Sequence, residues 1–394
     1  MNLLRDTLSI FWRFLALGCI SFGGPAAHIG YFQKTFVERL HWLSQDDYGK
    51  LVAVSQFLPG PGSSQVGFAI GLHRGGLAGG MAAFLGFTLP SFCLMYGLAH
   101  YMQSPASAGW MPSVIQGLLL LAVVVVADAV LTMAKQFCQS WYTRCIALTS
   151  ALLLISFSTI YLQFILLFTA GLLGFFGHQY FVNSTQVSHQ TRSYHKTWLA
   201  LFIFALLFMA SIFIQANYGA TDSPLLSLAA NFYQSGSLVF GGGHVVLPLL
   251  QQNIEASLNT EQFLFGYAAA QGVPGPMFTL ATYLGAQLLP TSPLFGATIA
   301  TFSLFLPGLL LMYALHQQWA MLSARVSIAG AMAAINAAVV GLLLSAWVNP
   351  VVSHGINQLS DVLVVVILFT GYRLLKLPIV LLILLSISYG LAWL

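Results

Sequence analysis

Residues 14–24 read FLALGCISFGG, and residues 232–242 read FYQSGSLVFGG. Phe14, Gly18, Phe22, Gly23 and Gly24 return as Phe232, Gly236, Phe240, Gly241 and Gly242, at an offset of 218. Further out, Gln56 and Pro59-Gly60-Pro61 return as Gln271 and Pro274-Gly275-Pro276, at an offset of 215. Leu89-Pro90 and Leu94-Met95-Tyr96 return as Leu306-Pro307 and Leu311-Met312-Tyr313, at an offset of 217. Three matches in one order and at nearly constant spacing mark an internal duplication. The polar stretch 182–197 (VNSTQVSHQTRSYHKT) separates the copies. The expected organisation is a first repeat over 1–181, a linker and joining transmembrane helix over 182–216, and a second repeat over 217–394.

The solvent of these repeats follows from composition. Of 394 residues, 58% are hydrophobic and 6% charged. Soluble domains carry about 25% charged residues. A water-facing surface cannot be built from 13 Lys+Arg and 9 Asp+Glu over this length. Apolar runs long enough to cross a bilayer recur, near 77–101, 112–134, 144–159, 160–180, 198–216, 293–316, 328–350, 356–372 and 376–394. The chain is expected to be an all-α integral membrane protein. The net charge of +4 is scattered in short loops, which does not suit nucleic acid. Cys19, Cys93, Cys138 and Cys145 form no metal-ligand spacing, so neither metal nor cofactor is expected. The first residues, MNLLRDTLSIFWRF, lack a cleavage-site pattern, and no removable signal peptide is expected.

Positive charge in short loops marks the cytoplasmic side. Lys135, Arg144, Arg192, Lys196, Arg325, Arg373 and Lys376 alternate with loops that carry no Lys or Arg, which puts the C-terminus outside. In the first repeat Arg5, Lys34, Arg39, Lys50 and Arg74 surround both Gly/Pro motifs. In the second, no Lys or Arg occurs from 197 to 324. If the motif segments are re-entrant hairpins, the charge rule holds in both repeats. Full crossings would put Lys34, Arg39 and Lys50 outside. In either case the repeats have inverted topology, as in many secondary transporters.

The Gly/Pro clusters interrupt apolar stretches at mid-membrane depth. Proline breaks a helix and glycine permits left-handed turns. Such breaks survive in lipid only inside protein or beside a water-filled cavity. Pro25, Pro61 and Pro276 each suit the first position of a new half-helix. The free amides after them (Ala26, Ala27; Gly62, Ser63, Ser64; Met277, Phe278) then carry the positive end of the helix dipole. Converging N-termini make an anion site that needs no fixed cation. The candidate substrate-binding residues are Gly23, Gly24, Pro25, His28, Gln56, Pro59, Gly60, Pro61, Gly62, Ser63 and Ser64 in the first repeat. Their counterparts are Gly241, Gly242, Gly243, His244, Gln271, Pro274, Gly275 and Pro276 in the second. A kink in a transmembrane helix is more often structural, and duplication of the whole set is what favours function. His28 and His244 suit an anion contact, a proton carrier or a satisfied core position equally. Gln56 and Gln271 suit a site or a bond that locks each hairpin. Arg13 and Arg74 suit snorkelling better than anion binding, and Asp128 is a weaker candidate for ion coupling.

These motifs resemble the chromate ion transporter family. The first-repeat hallmark reads Phe22-Gly23-Gly24-Pro25, His28 and Phe32, then Pro59-Gly60-Pro61-Gly62-Ser63-Ser64-Gln65. The second reads Phe240-Gly241-Gly242-Gly243, Val246 and Pro248, then Gln271 to Pro276. The resemblance covers nearly the whole chain and matches the bidomain members. It implies export of chromate from the bacterial cytoplasm, across the inner membrane, driven by an ion gradient rather than ATP. Sulfate has the same shape and charge and stays open as a substrate. The coupling ion is unassigned, with the proton as candidate, and a homodimer is the candidate assembly. Competing readings are a passive oxyanion channel and an integral-membrane enzyme acting on lipid.

The charge pattern generates a topology test. With the native cysteines replaced, Lys34→Cys and Arg74→Cys should resist an impermeant thiol reagent added outside intact cells. Ser257→Cys and Thr291→Cys should react. Strong external labelling at position 34 with none at 74 would reject the re-entrant hairpin in favour of full crossings.

Overall fold

The computed structural model describes residues 2–22, 24–102, 111–157, 160–180, 195–217, 223–240, 246–254, 258–316 and 326–393. Among them every regular element is helical. Gly23, Gly241, Gly242, Gly243, His244, Ser257 and linker residues 182–194 lie outside the described residues. Helix α1 (Asn2–Ile20) runs to the first glycine break, and α2 (Gly24–Phe32) leaves it, continuing as a π-helical turn over Gln33–Arg39. Helix α3 (Gln45–Phe57) starts at Ser44, whose hydroxyl accepts the Asp47 N–H at 3.1 Å. That cap and two acidic residues in the first turn suit the positive helix end. It stops at Pro59-Gly60-Pro61. With 13 residues it spans about 20 Å, short of a hydrocarbon core of about 30 Å.

Helix α4 (Gly62–Met102) is broken at Gly75 and Gly76, the latter left-handed at φ +61°, so it is two helices end to end. Next come α5 (Met111–Phe137), α6 (Trp141–Ser156), α7 (Ile160–Phe176), α8 (His195–Asn217) and α9 (Pro224–Leu238). Then follow α10 (Val246–Ile254), α11 (Thr260–Gly272), a 3₁₀ turn (Met277–Thr279) leading into α12 (Leu280–Leu288), and α13 (Pro293–Leu315). The last are α14 (Val326–Ala346), α15 (Leu359–Arg373) and α16 (Ile379–Trp393). Among the described residues five helical stretches are long and apolar enough to cross a membrane: Gly62–Met102, Pro112–Phe137, Trp198–Asn217, Pro293–Leu315 and Val326–Gly355. The expected spans at 144–159, 160–180, 356–372 and 376–394 are helices of 15 to 17 residues. The chain is an all-α membrane protein.

Two compact units form, and neither is a sequence half. One comprises Met1–Ser107, Ser193–Gly243 and Ala269–Gln317. In it α1 packs on α4, and α9 packs on α13 in the same manner. A Cβ added at Gly18 would lie 2.7 Å from Phe87 O, beside Pro90. One added at Gly236, its repeat equivalent, would collide with Leu304 O, beside Pro307. Gly71 meets Gly79 and Ala83 at the fold-back of α4, and Gly285 meets Gly296 and Ala300 between α12 and α13. Small residues let backbones approach where lipid supplies no hydrophobic drive between helices. Helix ends also exchange. Gln287, ending α12, donates Nε2–H to Ala99 O near the end of α4 at 3.1 Å.

The other unit comprises Ala108–Arg192, His244–Ala268 and Gln318–Leu394. Its helices also pair across the halves: α5 with α15 and α16, α14 with α6 and α7. Gly117 and Gly390 bring α5 against α16, while Gly174 and Gly330 do the same for α7 and α14.

The close approaches generate a stability test. Gly18→Ile and Gly236→Ile should each cost at least about 1–3 kcal/mol through overpacking. Gly30→Ile, with nothing within 4 Å of the added Cβ, is the control. Thermal unfolding of purified protein, followed by size-exclusion chromatography, should show early loss for the first two alone. Equal behaviour of all three would refute the packing.

Candidate functional site

Two crossed hydrogen bonds tie the breaks together. The Gly275 N–H donates to Ser21 O at 2.9 Å, and the Gly60 N–H donates to Val239 O at 2.7 Å. Ser21 and Val239 are repeat equivalents, as are Gly60 and Gly275. Each Pro-Gly-Pro thus uses its central amide on the segment that precedes the other repeat's glycine cluster. The flanking prolines have no amide to give. Both glycines are left-handed, at φ +117° and +101°. A Cβ at Gly60 would sit 2.7 Å from Gly308 Cα, and one at Gly275 would sit 3.0 Å from Ser91 Oγ.

His28 joins the first crossing. It is fully buried, with Nε2 at 3.2 Å from Ser21 O and Nδ1 at 3.2 Å from Ser63 Oγ. A carbonyl only accepts, so Nε2 carries the proton and Nδ1 accepts from the Ser63 hydroxyl. The imidazole edge meets Phe87 at 5.1 Å between centroids. The second crossing is braced by Gln65. This buried side chain donates Nε2–H to Pro59 O at 2.9 Å and to Gly308 O at 3.1 Å.

Five buried polar atoms of this unit have no hydrogen-bond partner among the described residues: Ser21 Oγ, Ser64 Oγ, Gln65 Oε1, Thr88 Oγ1 and Gln234 Nε2. Leaving such a group dry costs about 1–3 kcal/mol. Three of the five are hydroxyls and one is an amide NH₂, so four can donate. Gln65 Oε1 only accepts. The first amides of α4, at Gly62, Ser63 and Ser64, add donors that have no acceptor within their own helix. Neutral donors of this kind, with unpaired amides at a helix start, are chemistry suited to an oxyanion.

The sequence-derived candidates divide. Gly24 is left-handed at φ +75°, and Pro25 sits in the first turn of α2. Gly60, Pro61, Ser63 and Ser64 are buried, as are Pro274, Gly275 and Pro276, while Pro59 and Gly62 are half-buried. Gly23, Gly241, Gly242, Gly243 and His244 fall outside the described residues. Gln56 and Gln271 do not act as equivalent braces. Gln56 is exposed on the last turn of α3, and Gln271 donates Nε2–H to Met277 Sδ at 2.7 Å. Matching sequence positions set no helix face, and Gln65 takes the bracing role. Asp128, read as a coupling candidate, is paired with Arg373 at the end of α15. Arg13 and Arg74 both lie over Trp42. Ser21, Thr88 and Gln234 were missed, since each is an ordinary polar residue within an apolar run. Gln65 closes the quoted Ser-x-Gln motif and was the legible one.

A many-helix membrane protein with interrupted helices buried at its core is the class this fold defines. The sequence profile described as chromate transporter matches residues 8–175 and again residues 226–391. The chain belongs to the chromate transporter family. It is similar to a probable chromate transport protein of Synechococcus elongatus, 28% identical over 303 residues, which is 76% of this chain and 72% of that protein. A chromate transport protein of Pseudomonas aeruginosa is 27% identical over 306 residues, 76% of this chain and 70% of that protein. An uncharacterized transporter of Methanocaldococcus jannaschii is 28% identical over 311 residues, 78% of this chain and 75% of that protein. No solved structure matches.

The brace generates a mutational test. Gln65→Leu should lower stability by about 1–3 kcal/mol, because the buried Gly308 carbonyl and the half-buried Pro59 carbonyl lose their donor. Gln56→Leu should change it by less than about 0.5 kcal/mol, as an exposed site. Denaturant unfolding in detergent would compare them, and a larger effect at position 56 would overturn the assignment.

Proposed function

We propose that this chain is a secondary transporter that exports chromate across the bacterial inner membrane, with an ion gradient as the energy source. The observation that carries the reading is the pair of crossed bonds, Gly60 to Val239 and Gly275 to Ser21. They hold two interrupted segments together, one of which leads directly into the start of α4. Neutral donors bind a dianion without the fixed cation that would hinder its release. Sulfate fits the same donors, and its transport belongs to the same reading.

The inverted, re-entrant arrangement of repeats 1–181 and 217–394 is part of this proposal. Arg74 lies over Trp42, which occupies the turn between the two motifs of the first repeat. A re-entrant hairpin puts both on one side of the bilayer, whereas full crossings separate them. The short α3 favours the hairpin too. The bond of Gln287 to Ala99 supports opposite orientations. A short helix of the second repeat ends there beside the far end of the first repeat's long helix.

A proton is the coupling ion favoured by His28. Protonation at Nδ1 would turn the Ser63 hydroxyl from donor to acceptor of the imidazole bond. Its hydrogen would then be free for another partner, so a proton alters the donor set at the start of α4.

Chromate uptake into inside-out vesicles tests the reading. Wild type should accumulate chromate against its gradient when a pH difference is imposed. Gly60→Val and Gly275→Val should lose at least about 90% of the rate per inserted protein, since each combines a disallowed φ with a clash. Equilibration without accumulation would establish the passive channel instead. Movement of sulfate but not chromate would reassign the substrate.

A further inference from the structure

Arg13, Arg74 and Trp42 come from three separate segments and meet at one spot. The Arg13 Cζ lies 5.8 Å from the Trp42 ring centroid and the Arg74 Cζ 5.5 Å. Both arginines are exposed and Trp42 is half-buried. Phe36 packs against the indole at 4.8 Å between centroids, and the Trp42 backbone N–H donates to Phe36 O at 2.8 Å, which anchors the main chain there. His41, just before it, is held in the left-handed region at φ +49°. Non-glycine residues adopt that conformation at a cost, and such strain gathers where a neighbouring side chain must be aimed.

Among the described residues no ion pair offsets the charge at this spot. Arg13 Nε donates to Ser9 Oγ at 3.4 Å, a neutral partner. Among the described residues no carboxylate pairs with either guanidinium, and the nearby Asp46 and Asp47 are both engaged by Lys50. Two cations gathered on one ring repel each other unless an anion or solvent intervenes. Guanidinium forks stacked on an aromatic face keep their N–H groups free for a tetrahedral oxyanion. The second repeat cannot build a copy of this feature, since residues 197–324 hold no Lys or Arg.

We propose that Arg13, Arg74 and Trp42 form a capture site for a free divalent tetrahedral oxyanion on the side where the first hairpin turns, ahead of the buried helix starts. Its role in transport rests on the transporter reading above, but its binding does not. Lying at one mouth only, it raises the local substrate concentration on that side and so favours one direction of loading.

Chromate absorption overlaps indole emission, so chromate bound beside Trp42 quenches that tryptophan. In detergent solution wild type should show a saturable quench that Trp42→Phe lacks. Arg13→Gln and Arg74→Gln should each raise the half-saturating chromate concentration about fivefold. Sulfate should reverse the quench, and phosphatidylglycerol at equal concentration should not. In vesicles the same two variants should raise KM about fivefold and leave the maximal rate within about twofold. Arg13→Lys and Arg74→Lys keep the charge, and should shift KM by only about twofold. Arg39→Gln removes a like charge from the same hairpin and should shift nothing.

Four results would each overturn the site: quenching unchanged in the arginine variants, reversal by phosphatidylglycerol but not sulfate, an equal effect of Arg39→Gln, or lost maximal rate with unchanged KM. A wild type that is quenched at Trp42 but moves no chromate would sink the transporter reading and leave this site standing.

Discussion

A polypeptide interrupted inside lipid must find partners for its freed backbone groups, because no water is there to supply them. In this protein the middle amide of each Pro-Gly-Pro answers that constraint by bonding to a carbonyl from the other repeat. Much else follows. Gly60 and Gly275 must be left-handed to aim those amides, and Gly308 or Ser91 must be small to admit them. Gly18 and Gly236 must be bare so that α1 and α9 seat against the proline-bearing helices. A frame of this kind places helix starts in the interior without any charged side chain among its crossing bonds.

The duplication kept the frame and not the polar content. Ser63, Ser64 and Gln65 follow the first Pro-Gly-Pro, and the equivalent positions after the second hold Phe278, Thr279 and Leu280. Thr279 spends its hydroxyl on Pro276 O at 2.8 Å. Four of the five orphaned polar atoms in this unit come from the first repeat. Geometry is thus shared between the copies, while the unpartnered polar atoms lie mostly in the first. Neutral hydrogen-bonding groups in such a core discriminate by position and number rather than by charge.

Periodicity and composition made the membrane class, the repeat and both Pro-Gly-Pro breaks legible, because each depends on local chemistry: apolar length, proline, glycine; the break at Gly75 and Gly76 inside α4 carried no such signal. The partner of each break was not legible, since Gly60 meets Val239 and Gly275 meets Ser21 only through tertiary pairing. Gln56 and Gln271 misled for a related reason. Their spacing to Pro-Gly-Pro is identical, yet burial depends on which face the neighbouring helices cover. Gln65, one helical turn past the break, points inward. Arg13 and Arg74 read singly as interfacial anchors, and their shared contact with Trp42 arises only from the tertiary packing of three separate segments.

The crossing bonds also set an order of events on the ribosome. Gly60 waits for Val239, a residue 179 positions later. At roughly 5–20 residues per second, that is about 10–40 s during which Gly60 has been made and its break has no native partner. Helices α1 to α4 therefore enter the membrane as an unfinished module. Their open backbone must be sheltered in that interval by the insertion machinery, by trapped water or by provisional contacts among themselves. Separation of this kind makes biogenesis slow, and it links the fate of the first half to the arrival of the second.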